Sequence, residues 1–400
     1  MKHGKSGDSK SDAKKPADFT IGAGPTTVWP EVSAAMSRPM MYHYDPAFVD
    51  LFARTTEKAA RVLQTQEDVI LFQGEAIGAL EAAGRACVRP GMTVLNLNSG
   101  VFGRGMGEWL RQWGATVHEV AAPYNEAISS EAVERALREH PEVELVAVVH
   151  SETPSGTVNP VDEIGPLARA HGAVTLVDCV SSLGGMPFAA DEWQLDICVA
   201  GAQKCLSGPP GVSPMCVSAR AWDLIARNPG APRWSYLSLL DWRDAYLREG
   251  RFPFTPSVSD VYGLEACLDV ILDAGLEASI ARHTSAAQAC RAGASAMGLS
   301  LWPRSEAIMS TCTTAISLPD GLDDVQVREH VRSRYGVQLS SGQGAGRLVR
   351  IGHMGVTARP LYPVLGLAAL GRALLDLGAR LDLGLGMEAA LEHISSHEAP

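Results

Sequence analysis

Leu145-Val-Ala-Val-Val149, a helical stretch from Val161 to His171, Val174-Thr-Leu-Val177 closed by Asp178, and Ile197-Cys-Val-Ala200 running into Gly201-Ala-Gln-Lys204 form the span that decides the fold. Short apolar runs without polar alternation, separated by helical stretches, are the pattern of strands buried on both faces. The pattern continues outward. Val69-Ile-Leu-Phe72 precedes a helix through Val88, and Thr93-Val-Leu-Asn-Leu97 precedes one from Gly105 to Trp113. Thr116-Val-His-Glu-Val120 precedes one from Ser130 to Glu139. Alternating strand and helix predicts an α/β fold with a mostly parallel sheet covered on both faces. Ligands of such sheets sit at the carboxyl ends of the strands. Asn98, His150, Asp178 and Lys204 all fall at or just past strand ends, which predicts one common site.

The chemistry of that site is read from Lys204 and Asp178. A lysine on a small, Gly-rich turn, here Gly201-Ala-Gln-Lys-Cys-Leu-Ser-Gly-Pro-Pro-Gly211, can form a Schiff base with an aldehyde. A carboxylate ending an interior strand can keep a pyridinium nitrogen protonated, so the pair describes a vitamin B6 site. Taken alone, Asp178 reads equally as a helix cap or a solvated loop acid, and Lys204 as a surface lysine. The apolar strand before Lys204 and the turn after it favour a desolvated, nucleophilic amine.

Bulk properties narrow the classes. The 400 residues suit a large domain with a smaller companion. A net charge of -11 argues against nonspecific nucleic-acid binding and against an acidic membrane surface. The 8 cysteines contain no C-x-x-C pair, which fits reduced cytoplasmic thiols and no zinc frame. Cys179 and Cys205 read as small buried side chains. No apolar run reaches membrane-spanning length. Residues 1–18 are Lys-, Ser- and Asp-rich and read as a disordered tail, not a secretory signal.

Thr20 to Val28 reads as an extended arm and Pro46 to Gln64 as an amphipathic helix. Val261 to Ala274 reads as the helix at the boundary with a smaller α+β domain. That domain is expected to hold a helix within 274–297, a strand at Thr313–Leu318 and a helix at Val325–Tyr335. A strand pair around Val337 and Val349 and a C-terminal helix from Leu361 complete it.

His150-Ser-Glu-Thr-Pro-Ser-Gly156, Asp178 and Gly-Ala-Gln-Lys204 together resemble the class V (fold type I) aminotransferases, in particular the alanine/serine–glyoxylate group. The resemblance runs from Gly22 to the C-terminal helix. It implies a large domain with a mostly parallel seven-stranded sheet over residues 19–270 and a small domain over 271–400. It also implies a homodimer or homotetramer, with residues such as Thr255 reaching across from a partner subunit. Several further segments are similar to members that take pyridoxamine and pyruvate as substrates. They include Gly74-Glu75, Ser99-Gly-Val-Phe-Gly103, Phe252-Pro-Phe-Thr-Pro-Ser-Val258 and Arg350-Ile-Gly-His-Met-Gly355. That likeness implies pyridoxal and L-alanine as products, vitamin B6 used without its phosphate, and a place in B6 degradation.

Within the resemblance, Phe102 stacks on the pyridine ring, Thr153 meets the ring hydroxyl and Arg350 binds the substrate carboxylate. Glu75 has two readings. A carboxylate at a helix start opposes a phosphate there and can accept from a hydroxymethyl group; it is also an ordinary first-turn acid facing solvent. Gln343 stands where such members carry a second arginine, which leaves the amino acceptor open. A pyridoxal 5′-phosphate enzyme of the alanine/serine–glyoxylate type is the alternative, and a B6-binding module without turnover a more distant one. Ser151 and Glu152 have no assigned role. His43, His150 and His353 read as hydrogen-bonded structural groups, and no two of them share ligand spacing with a carboxylate.

Overall fold

The computed structural model describes residues 16–396. Seven strands form the central sheet in the order Asp68–Phe72, Ser213–Val217, Ile197–Val199, Val174–Asp178, Leu145–Val149, Thr93–Asn98, Thr116–Ala121. All pairings are parallel except those of Ser213–Val217, which runs antiparallel to both neighbours. The five residues of Leu145–Val149 and of Val174–Asp178 are buried throughout. Their unbroken apolar character therefore reflects cover on both faces, and each fully buried Leu or Val contributes on the order of 1.5–3 kcal/mol.

Register carries the site. Asp178 pairs with Val149 on one side and Val199 on the other. Three strands thus finish level, and His150, Asp178 and the Lys204 turn emerge on one edge. Ser213 pairs with Phe72, so the turn leading to Glu75 opens on that edge too.

The helices follow their local signals. Pro46–Leu63 has Asp45 accepting from the Ala47 amide and ends on Gln64 at φ 53. Ser129 caps Ser130–Glu139 through the Ala132 amide. Val161–His171 ends on left-handed Gly172, where glycine carries no Cβ penalty. Helix Val258–Ala274 packs on Pro46–Leu63 and leads to Leu276–Ala296. Beyond it, Thr313–Ser317, Leu348–Gly352 and Ser340–Ser341 form a three-stranded antiparallel sheet, with Leu348–Gly352 central. Asp324–Tyr335 and Leu361–Asp376 pack against that strand, and Leu383–Ser396 closes the described chain.

Two expectations change. The strand at Val337 does not pair with the one at Val349: Val337–Gln338 runs parallel to Phe19–Thr20 in the N-terminal arm, and Ser340–Ser341 takes the place beside Val349. Ser213–Val217 is a seventh strand beyond the six apolar runs. The tail expected over 1–18 lies outside the described residues as far as residue 15, and at Asp18 the backbone N–H already donates to Gly336 at 2.8 Å. Among the described residues no helix is long and apolar enough to cross a membrane.

Gly165 gives a sharp test of this packing. Glycine to alanine inside a helix ordinarily stabilises by up to about 1 kcal/mol. A Cβ at Gly165, however, would collide with the backbone carbonyl of Trp193. Gly165→Ala is expected to lower stability by roughly 1–3 kcal/mol in urea unfolding; a gain in stability would refute the close helix–loop contact.

Candidate active site

Asp178 ends its strand 7% exposed, and its Oδ1 accepts from the Val180 amide at 2.9 Å. Burial pushes this carboxyl up to about 6, while the Val180 bond and nearby Lys204 pull it down and Glu75 adds to the rise. Lys204 follows the Ile197–Val199 strand through the Gly201–Gln203 turn. Its Nζ donates to the Ala23 carbonyl at 2.9 Å. Gly24 sits at φ 103, and a Cβ there would lie 2.5 Å from that Nζ; both backbone and space require glycine. Burial lowers the Lys204 pKa, Arg350 lowers it further, and Asp178 and Glu75 oppose them. An amine so desolvated is more often neutral, hence more nucleophilic.

A cavity of about 230 Å³ brings Lys204 together with Phe102, Thr153, Gln343 and Arg350, and it adds Arg328. Asp178 and Glu75 lie outside this lining and join it through their charge interaction with Lys204. A wider groove of about 900 Å³ lies along helix Asp324–Tyr335 and shares Arg328 and Gln338 with the cavity. The smaller space, which holds the lysine, is the one with reactive chemistry.

Phe102 opens helix Val101–Gln112, whose cap residue Gly100 offers no side chain. Glu152 supplies the missing acceptor: Oε1 takes the Gly103 amide at 2.6 Å and Oε2 the Phe102 amide at 3.1 Å. Glu152 is fully buried, and burial lifts it to about 7 against those two bonds. The next residue, Thr153, accepts from Arg350 Nη1 through its carbonyl at 2.8 Å, and its Oγ1 lies 3.4 Å from Ser181 Oγ. Arg350 is 3% exposed and also donates from Nε to the Ser341 carbonyl at 2.6 Å. Burial, and then Arg328, lower its pKa to about 10.

Glu75 is the cap residue of helix Ala76–Cys87. Its Oε2 accepts from the Ile77 amide at 2.8 Å, and its Oε1 from Gln203 Nε2 at 2.5 Å. The side chain is exposed on this chain, yet it is tied to the residue beside Lys204. The Gln203 Oε1 is buried and has no partner. Gln343 is exposed at the rim, at φ 50.

His150 Nδ1 lies 2.9 Å from Ser182 Oγ, and burial lowers its pKa to about 4. His353 Nε2 lies 2.8 Å from Thr314 Oγ1 and is lowered to about 3, chiefly by burial. His43 lies in a ring cluster with Tyr42 and Tyr44. His118, His140 and Glu142 gather elsewhere, with ligand atoms within 4.8 Å of one another. His118 lies on an edge strand and His140 caps the helix that follows it, so the grouping is tertiary. The two imidazoles stack at 3.5 Å and 17°. Their lone pairs lie in the ring planes, so stacked rings do not aim at one point.

Sequence reading missed Arg328, Gln203 and Glu152. Arg328 is one of several arginines on a polar helix and carries no signal. Gln203 adjoins Lys204, and Glu152 is an acid among small residues between a strand and Gly156; that setting was the available clue.

A family model for class-V aminotransferases matches residues 26–360. The pyridoxamine–pyruvate transaminase of Mesorhizobium japonicum is 47% identical over 380 residues, covering 94% of this chain and 97% of that protein. The crystal structure of pyridoxamine–pyruvate aminotransferase from Mesorhizobium loti superposes with a TM-score of 0.93 at 46% identity, over 96% of this chain and 98% of the other. Ureidoglycine–glyoxylate aminotransferase from Bacillus subtilis gives a TM-score of 0.89 at 30% identity, over 96% and 100%.

The Asp178 environment generates a pH-dependent prediction. A carboxyl raised on folding favours the folded state fully at low pH, and that contribution is lost as pH rises through the folded value near 6. Asp178→Asn should therefore stabilise the ligand-free protein by up to ~3 kcal/mol at pH 8. The gain should shrink toward zero near pH 4. Urea unfolding at both pH values checks this; a gain independent of pH would contradict the buried charge.

Proposed function

The chain belongs to the class-V aminotransferases, and on that premise we propose that it moves an amino group between pyridoxamine and pyruvate, giving pyridoxal and L-alanine. The vitamin is taken without its phosphate. The observation that carries this choice is Glu75, whose carboxylate already satisfies the Ile77 amide at the helix N-terminus. A phosphate drawn to such a helix end needs free amides and the positive end of the dipole. Here it would meet a like charge, at about 4 kcal/mol per unit-charge pair at 4 Å in an intermediate dielectric. A hydroxymethyl group can instead donate to Glu75 or to the unpartnered Gln203 Oε1.

Bound vitamin B6 supplies the electron sink; the chain supplies the rest. Lys204 Nζ, freed from the Ala23 carbonyl, would take the aldehyde carbon of pyridoxal with loss of water. When free again, it moves a proton between C4′ of the vitamin and the α-carbon of the amino acceptor. Asp178 would hold the proton on the ring nitrogen, whose positive charge would lower a carboxyl that burial raises. Phe102 is the platform for the ring face, and Thr153 meets the ring hydroxyl. Arg350, held by two backbone carbonyls, takes the acceptor's carboxylate.

Gln343, neutral and exposed at the rim, favours the second reading: a pyridoxal 5′-phosphate enzyme of the alanine/serine–glyoxylate type. A homodimer is supported by the exposed Trp234 (98%), Met40 (71%) and Tyr42 (67%). Thr255 lies beside Met40–His43, in reach of a second copy. Eight free, buried cysteines support a cytoplasmic setting.

Cofactor-stripped protein should convert pyridoxamine and pyruvate to pyridoxal and alanine. Turnover only with pyridoxal phosphate, alanine and glyoxylate would replace this reading with the second one. Lys204→Ala should lose turnover by at least about 10⁴-fold with an unchanged circular dichroism spectrum; residual wild-type activity would remove the lysine from its role. Glu75→Gly should shift preference toward phosphorylated vitamin, and an unchanged preference would leave Glu75 a plain helix cap.

A further inference from the structure

Arg350 is an almost fully buried cation whose hydrogen-bond partners are neutral, the carbonyls of Ser341 and Thr153. A buried charge without an opposite partner is costly and is retained where a ligand supplies one. A charge of the same sign acts on it: Arg328, from helix Asp324–Tyr335, lines the same cavity and lowers its pKa. Lys204 is a third basic side chain there. On the acidic side, Asp324 binds Arg328 through Nε at 3.2 Å and Nη2 at 3.0 Å. Nη1 of Arg328 has no part in that pair. Gln343 contributes no charge. Arg328 also lines the outer groove together with Arg332 and Arg334, so it stands where groove and cavity meet. The groove also holds Asp18 and Glu329, but the cavity lining holds Arg328 and Arg350 and no carboxylate, and such a site draws small anions.

We infer that Arg328 is a specificity-determining residue. With Arg350 it forms a two-guanidinium clamp on the single carboxylate of the amino acceptor, and so selects a small 2-oxo monocarboxylic acid. This rests on the reading of the chain as a pyridoxamine–pyruvate aminotransferase. One carboxylate between two guanidiniums relieves both the buried charge of Arg350 and its repulsion from Arg328. Pyridoxamine carries no carboxylate and gains nothing from the clamp.

The test compares four proteins: wild type, Arg328→Gln, Arg328→Lys and Asp324→Asn. Steady-state kinetics should show the pyruvate KM raised roughly tenfold in Arg328→Gln, the worth of a charge-assisted hydrogen bond, with the pyridoxamine KM within about twofold. Arg328→Lys should recover part of the loss. Asp324→Asn breaks the same ion pair but spares the guanidinium, so its pyruvate KM should stay at or below the wild-type value. An equal rise in Asp324→Asn would reduce Arg328 to a structural ion pair and overturn the inference. So would equal changes in both KM values, or none. A wild-type preference for a dicarboxylic acceptor that Arg328→Gln abolishes would mean that Arg328 reads a second carboxylate, which also overturns it. Calorimetric binding of pyruvate to the resting proteins is independent of turnover. Weakened binding in Arg328→Gln supports the clamp even if pyridoxamine proves not to be the donor; equal binding sinks it while leaving the reaction untouched.

Discussion

Everything at this site depends on three parallel strands ending level. A strand inside a parallel sheet spends its backbone groups on both neighbours, so the first residue beyond it must find new partners. Asp178 is placed by that constraint: Val149 and Val199 flank it in register, and its side chain bonds forward to the Val180 amide. Shifting one neighbour by a residue would turn alternate side chains to the other face. The distance between acid and lysine is therefore set by the sheet's hydrogen bonds more than by the loops.

A second layer of order converges on one dipeptide. The Glu152 side chain holds the amides of Phe102 and Gly103, and the Thr153 carbonyl holds Arg350. Three segments far apart in sequence are thereby tied together: the first turn of one helix, the loop after Leu145–Val149, and the middle strand of the small sheet. A helix whose own cap is Gly100 takes its capping carboxylate from elsewhere. Full burial makes that carboxylate expensive, so the burial belongs to the geometry of the Phe102 turn.

Much of this was legible beforehand because it is local. Ser130–Glu139 opens on its Ser129 cap and Val161–His171 stops at left-handed Gly172, and both match the reading of the chain to the residue. Asp178 and Lys204 announce themselves by following apolar runs. Ser213–Val217 escaped because Pro214 argues against a central strand. The structure accommodates it at the strand's start, before the ladder to Ile197–Val199 begins at Met215. Val337 was paired with the wrong strand because its true partner, Phe19, belongs to the other end of the chain. Arg328 was invisible for a related reason: only tertiary packing distinguishes it from its neighbours Arg332 and Arg334.

The N-terminal arm has a consequence for biosynthesis. Ala23, whose carbonyl receives Lys204, is held through its amide by Ser340 Oγ, 317 residues away, and Thr26 Oγ1 reaches Met354 O across 328 residues. The arm leaves the ribosome more than 300 residues ahead of these partners. Contacts this distant in sequence must meet the loop-closure entropy before they return any stability. The central sheet can assemble before those partners emerge, whereas the lysine's resting place is finished only once Ser340 has been made. The nascent protein would thus be largely folded before it could become reactive.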